Sequence, residues 1–254
     1  MELTYLWAIC LAAFGLGIGS FLNVAVLRLN AEETLLGRSH CMHCKKTLPW
    51  FTLIPVLSYI GLGGKCYFCH QPIAAHYALV EAVTAALFFV LAIWFIGDPV
   101  RLAVYLIIAA LCVAIFLSDC LFYTIPDAFT LPGIVLAVVG QIILGTPWWS
   151  WLLGLAIGSG IFALQYAVSR GRWVGSGDIR FGAMMGAVLA WPNILVGLFL
   201  AYVLGALVAL PLLLRQSKKM QDAMPFGTFL AVATIITLLF GDQIVQWYVY
   251  DLLQ

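Results

Sequence analysis

The chain has 254 residues, 64% of them hydrophobic and 9% charged, with a net charge of +1 and a mean hydropathy of +1.07. A water-soluble domain carries about a quarter charged residues, so this composition excludes one and places most of the chain in lipid. A balance so close to neutral does not suit a nucleic-acid partner either.

A helix needs about 20 apolar residues to cross the hydrocarbon core. On that measure the sequence predicts an all-α integral membrane protein with a bundle of about eight transmembrane helices. The spans fall near residues 4 to 27, 78 to 96, 102 to 118, 128 to 145, 150 to 168, 179 to 191, 194 to 214 and 227 to 248. The first run follows Glu2 rather than a basic start and lacks a small-residue cleavage site, so it reads as a permanent span and not a removable signal. Gly15, Gly17 and Gly19 within it resemble a nucleotide loop, but no strand precedes them, and they read as close helix packing.

Residues 28 to 77 form the one sizeable polar segment, a small insert between the first helix (1 to 27) and a seven-helix core (78 to 254). A segment this short cannot build a large core of its own. Cys41-Met42-His43-Cys44 and Cys66-Tyr67-Phe68-Cys69 make two CxxC knuckles separated by 21 residues, close to the spacing of a tetrathiolate zinc ribbon. Structural Zn2+ held by Cys41, Cys44, Cys66 and Cys69 is the expected staple. Redox thiols or a disulfide are the rival reading, which a reducing cytosol disfavours. His40, His43 and His70 read as solvated neighbours, and Cys10, Cys112 and Cys120 as core packing. Glu81 enters the second span as one more acid near the polar face, where a loop Lys or Arg could pair with it.

Cytosolic loops hold the excess of Lys and Arg. With the N-terminus outside and eight alternating spans, eleven of the twelve basic residues fall on one side, and Arg101 beside Asp98 alone remains for the other. This predicts an inner-membrane protein with residues 28 to 77, 119 to 127, 169 to 180 and 215 to 226 in the cytosol. Further along, Trp148, Trp149 and Trp151 read as an interfacial aromatic belt, and Gly154 and Gly158 as a GxxxG packing face.

Two acids stand where an apolar bundle should exclude them. Asp119 closes the third span, and Asp178, after Gly175-Ser176-Gly177, opens the sixth; 58 residues separate them, yet both fall at the cytosolic interface. An ionisable residue at the edge of a membrane helix marks a functional site by default. Neighbouring carboxylates share one proton across a wide pH range, so one serves as base and the other as acid. That is the chemistry of aspartyl peptide hydrolysis. Gly175 and Gly177 would let the backbone bend and a substrate strand approach, and Asp127, after Pro126, reads as an N-terminal helix cap. Alone, either catalytic candidate could be a cap or an interfacial ion pair. An ion-coupled transporter needs acids at mid-bilayer and an inverted repeat, and a membrane-anchored zinc-ribbon adaptor would leave both acids idle.

Taken in order, these residues resemble the type IV prepilin peptidase family, the GxGD aspartyl membrane proteases. Gly19-Ser20-Phe21-Leu22-Asn23-Val24 looks like its opening signature. The two knuckles follow, with Ile54-Pro55-Val56-Leu57-Ser58-Tyr59 between them and Leu79-Val80-Glu81 after. Asp119 to Asp127, the glycines and acid of 175 to 178, and Pro225-Phe226-Gly227 complete the set. Trp50-Phe51-Thr52-Leu53 and Ala75-His76-Tyr77-Ala78 depart from the family's usual strings. The resemblance implies removal of basic leader peptides from prepilins or secretion pseudopilins at the cytosolic face, with Asp119 and Asp178 catalytic. It also implies methylation of the new N-terminus from S-adenosylmethionine, with Glu81 a methyl-transfer candidate; peptidase activity alone is the alternative.

Overall fold

In hydrocarbon no water is available to pair a free N–H or C=O, so apolar stretches are driven to helix. The computed structural model, which describes residues 2–214 and 224–248, is helical accordingly. In chain order the helices are α1 (Glu2–Asn30), α2 (Leu57–Gly61), α3 (His76–Phe95), α4 (Pro99–Phe122), α5 (Asp127–Ile143), α6 (Trp148–Ser169), α7 (Ser176–Leu189), α8 (Asn193–Leu214) and α9 (Phe226–Gln246). The described residues contain no strand, only two isolated antiparallel bridges, His40 with Thr47 and Lys65 with Pro72.

All eight expected spans are helices, and six are long and apolar enough to cross a membrane: Thr4–Asn30, His76–Phe95, Pro99–Phe122, Trp148–Ser169, Asn193–Pro211 and Phe226–Gln246. The other two, α5 with 17 residues and α7 with 14, are shorter. At 1.5 Å per residue α7 is about 21 Å long against a hydrocarbon core of about 30 Å. The sixth expected span therefore does not cross by itself. It ends early because Trp191 precedes Pro192 and is steered away from helical backbone. Arg215, Lys218 and Lys219, counted for orientation, lie outside the described residues.

The chain divides into two compact units, Met1–Gly97 and Asp98–Gln254. In the first, α1 packs on α3 through small residues. A Cβ on Gly19 would come within 2.7 Å of Glu81 Cα, and one on Gly15 within 3.0 Å of Ala85 Cα, whereas Gly17 faces open space and has no packing role. Asn23 ties the pair further, its Nδ2 donating to the carbonyls of Gly19 and Tyr77. Arg28, at the end of α1, donates to the carbonyls of Leu35, Gly37 and Arg38, so this cation orders the start of the insert.

In the second unit α7 is buried along nearly all its length, from Asp178 to Leu189. Gly154 and Gly158 of α6 meet the carbonyls of Gly186 and Gly182 of α7, and the contacts are reciprocal, so neither helix has room for a Cβ at these points. Ser150 Oγ donates to Trp191 O and Gln141 Nε2 to Val188 O, which pins the end of α7 to α6 and α5. Cys112 is buried as expected, but Cys10 and Cys120 are exposed on their helices and pack no core.

Candidate functional site

The C-terminal end of α4 is set by Tyr123, whose left-handed backbone (φ 56) stops the helix one turn after Asp119. Thr124, Ile125 and Pro126 then run to α5. Asp119 is 5% exposed and Asp178, in the first turn of α7, is 7% exposed. Ile125 is the piece around which the two are gathered. A Cβ on Gly177 would lie 2.8 Å from Ile125 Cβ; one on Gly227 would lie 2.7 Å from Ile125 Cδ1 and 2.9 Å from Asp119 Oδ2. Glycine at 177 and 227 is thus what lets α7 and α9 close on the α4–α5 link. Gly175 has an ordinary extended backbone (φ −82) and open space, so the bend expected of it is not required.

Each carboxylate caps a helix. Asp119 Oδ2 accepts the Thr228 backbone N–H at 3.1 Å, one of the orphan donors in the first turn of α9, and Asp178 Oδ2 accepts the Gly175 N–H at 2.8 Å at the start of α7. A helix N-terminus favours negative charge, so both acids sit where one ionised carboxylate is supported. Among the described residues, Asp178 Oδ1 is buried with no hydrogen-bond partner. Arg180 is not the counter-ion of either acid: it pairs with Asp127 at 2.9 Å, both groups being partly exposed. Asp127 is the first residue of α5 behind Pro126 at the cap, so the capping role expected for it is corrected to an ion pair in the first turn.

In the insert, the two knuckles fold alike. Cys41 N–H donates to Lys46 O and Lys45 N–H to Cys41 O; Cys66 N–H donates to Gln71 O and His70 N–H to Cys66 O. Lys45 and His70 both take φ 56, the left-handed turn that folds each pair of thiols inward. The four Sγ atoms of Cys41, Cys44, Cys66 and Cys69 lie within 4.8 Å of one another, and Cys41 Sγ is 3.8 Å from Cys69 Sγ. Four sulfurs about 2.3 Å from one tetrahedral ion would stand about 3.8 Å apart, so the cluster can hold a metal ion. Burial opposes ionisation of Cys41, but the backbone groups of Cys44 and His43 and the neighbouring thiols outweigh it and bring this thiol down to about 6. At Cys69 the Gln71 backbone favours the thiolate, yet burial and the other three cysteines push it up to about 11. A second thiolate beside the first is costly, and a bound dication relieves that repulsion.

Glu81, 8% exposed, pairs with no basic side chain among the described residues. Its Oε2 accepts the Val56 N–H at 2.7 Å. Val56 has φ 61 and ψ −50, and Leu57 N–H reaches back to Pro55 O, a γ-turn of the strained hand on a β-branched residue. The carboxylate therefore clamps a turn that the sequence did not betray. Thr228 was missed too: Pro225-Phe226-Gly227 was visible as a motif, but only the fold brings the next N–H to Asp119.

Two family profiles match the chain: the Bacterial Peptidase A24 N-terminal domain over residues 13–95 and the Type IV leader peptidase family over residues 106–210. Among curated proteins the chain is similar to a prepilin leader peptidase/N-methyltransferase of Pseudomonas putida, at 34% identity over 91% of this chain and 89% of the relative. It is similar to one of the same name from Bacillus subtilis (strain 168), at 32% identity over 93% and 95%. A third, from Pseudomonas aeruginosa, is 31% identical over 95% and 93%. No solved structure matches.

Proposed function

The chain belongs to the type IV leader peptidase family, and from that premise we propose that Asp119 and Asp178 are the hydrolytic pair of a prepilin leader peptidase that also methylates the new N-terminus. The observation that carries the reading is the closure of α4, α7 and α9 on Ile125, which buries both acids at helix N-termini where one charge is supported and two repel. The pair holds one proton between its members. The charged carboxylate takes a proton from water as the water oxygen attacks the scissile carbonyl, while the protonated one donates to the carbonyl oxygen. As the C–N bond breaks, a proton passes to the leaving amine and the pair returns to its starting state. The acids exchange roles within the cycle, so neither is assigned the proton in advance.

The distribution of basic residues along the sequence supports an N-terminus outside, the two aspartates at the cytosolic face and the insert of residues 28 to 77 in the cytosol of a bacterium whose inner membrane holds the chain. The substrates in this reading are prepilins or secretion pseudopilins, whose basic leaders lie on that face. Zinc is the metal that best suits four thiolates in a structural site, with S-adenosylmethionine as methyl donor. The test is incubation of purified enzyme with a precursor pilin, with and without S-adenosylmethionine, followed by mass measurement of the product N-terminus. Loss of the leader in both arms and gain of one methyl group in the second is the expected result. Uncut precursor refutes the peptidase half, and a cut, unmethylated product in both arms refutes the other.

A further inference from the structure

Four aromatic rings meet in the second unit: Phe162 of α6, Tyr202 of α8, and Phe226 and Phe229 of α9. Phe162 is fully buried and touches both sides of the candidate site. On one side, a Cβ on Gly182 would lie 2.5 Å from Phe162 Cδ2, and Gly182 follows Asp178 by four residues in α7, on the same face one turn along. On the other side the ring meets that of Phe226 edge to face, with centroids 5.9 Å apart. Phe226 opens α9, and the two residues after it both reach Asp119: a Cβ on Gly227 would press on Asp119 Oδ2, which accepts the Thr228 N–H. A single ring thus spans the gap between the helix that carries Asp178 and the turn that caps Asp119.

Tyr202 closes the cluster from α8. Its ring lies 6.4 Å from that of Phe162, nearly parallel, and 5.3 Å from that of Phe226. Its hydroxyl accepts a hydrogen bond from Gln165 Nε2, and Gln165 stands three residues after Phe162 on α6. Polar side chains on spanning helices bond across to one another in this way, and the bond fixes Tyr202 against the two rings it backs. A ring is stiff and keeps its width, whereas a leucine in its place is narrower and turns between rotamers. A close-packed interior transmits that difference to its neighbours. Resting on the reading of Asp119 and Asp178 as the hydrolytic pair, we propose that Phe162 and Phe226 are positioning residues whose contact sets the separation of the two acids, with Tyr202 and Gln165 holding that contact in place. They act through α7 and the first turn of α9, not on the substrate. Phe229 supplies a natural control, because among the described residues its ring meets that of Phe226 only, at 6.3 Å.

The test is steady-state cleavage of a precursor pilin by the full-length chain in detergent, with kcat and KM separated and the thermal transition measured alongside. Phe226→Leu is expected to lower kcat at least about tenfold and to leave KM within about twofold, since a misplacement of about 1 Å in a reacting geometry costs about 100-fold. Phe226→Tyr, which keeps the ring, is expected to restore kcat. Phe229→Leu removes a ring from the same cluster and is expected to lower the thermal transition while keeping the wild-type kcat. Phe162→Leu, at the fully buried position, is expected to behave as Phe226→Leu does; where it fails to fold, Phe226→Leu decides. Wild-type kcat in Phe226→Leu overturns the brace, as does an equal loss in Phe229→Leu, which would make the effect a general loosening. A raised KM with unchanged kcat also overturns it, because the rings would then be a substrate contact. If wild type cuts the precursor and Phe226→Leu cuts it as fast, the brace alone fails; if wild type leaves it uncut, the peptidase reading fails and the brace with it.

Discussion

At the scale of single residues, Asp119 and Asp178 each cap a helix, and in the proposed reading each also serves as one half of the hydrolytic pair. Asparagine at either position keeps the size and an acceptor oxygen while removing the proton chemistry. Asp119→Asn and Asp178→Asn are therefore expected to insert normally and to lose cleavage by at least about 100-fold, the lower end of what general acid–base catalysis supplies. Full precursor processing by either variant would refute the pair. Gly227→Ala is a subtler probe, because its methyl group would press on Asp119 Oδ2 and Ile125 together. Overpacking of this kind costs about 1–3 kcal/mol, and here part of it falls on the orientation of Asp119. We expect slowed cleavage in a chain that still folds, read as a lower kcat in a timed precursor assay.

Between elements, the decisive contact is α6 against α7. The glycines of both helices let the backbones touch, which is how a helix too short to cross the membrane is held in place at the centre of its unit. Gly158→Val would push α7 away through Gly182 and displace the helix that carries Asp178. The expected outcome is a lowered thermal transition in detergent together with reduced cleavage, whereas Gly17→Val, which meets open space, should alter neither. The GxxxG string announced one half of this packing in the sequence. Its partner glycines were visible only as an awkward shortness of the sixth span.

For the whole molecule, the metal cluster and the membrane order can be tested separately. Cys41→Ser removes one of four ligands, and elemental analysis is expected to show loss of the bound metal, with loosening of the insert read by proteolysis; unchanged metal content would refute the ribbon. Helical class and the four-cysteine cluster were legible in the sequence, whereas two of the eight expected spans, α5 and α7, fall short of the length of a full crossing. The legible features follow from composition and spacing, which act locally along the chain. The fold alone decided that Thr228 meets Asp119, that Arg180 belongs to Asp127, that Glu81 clamps Val56, and that Asn23 reaches the carbonyl of Tyr77. Each of these joins residues distant in sequence or turns on the direction of a side chain, and no local pattern encodes such a meeting until the helices have packed.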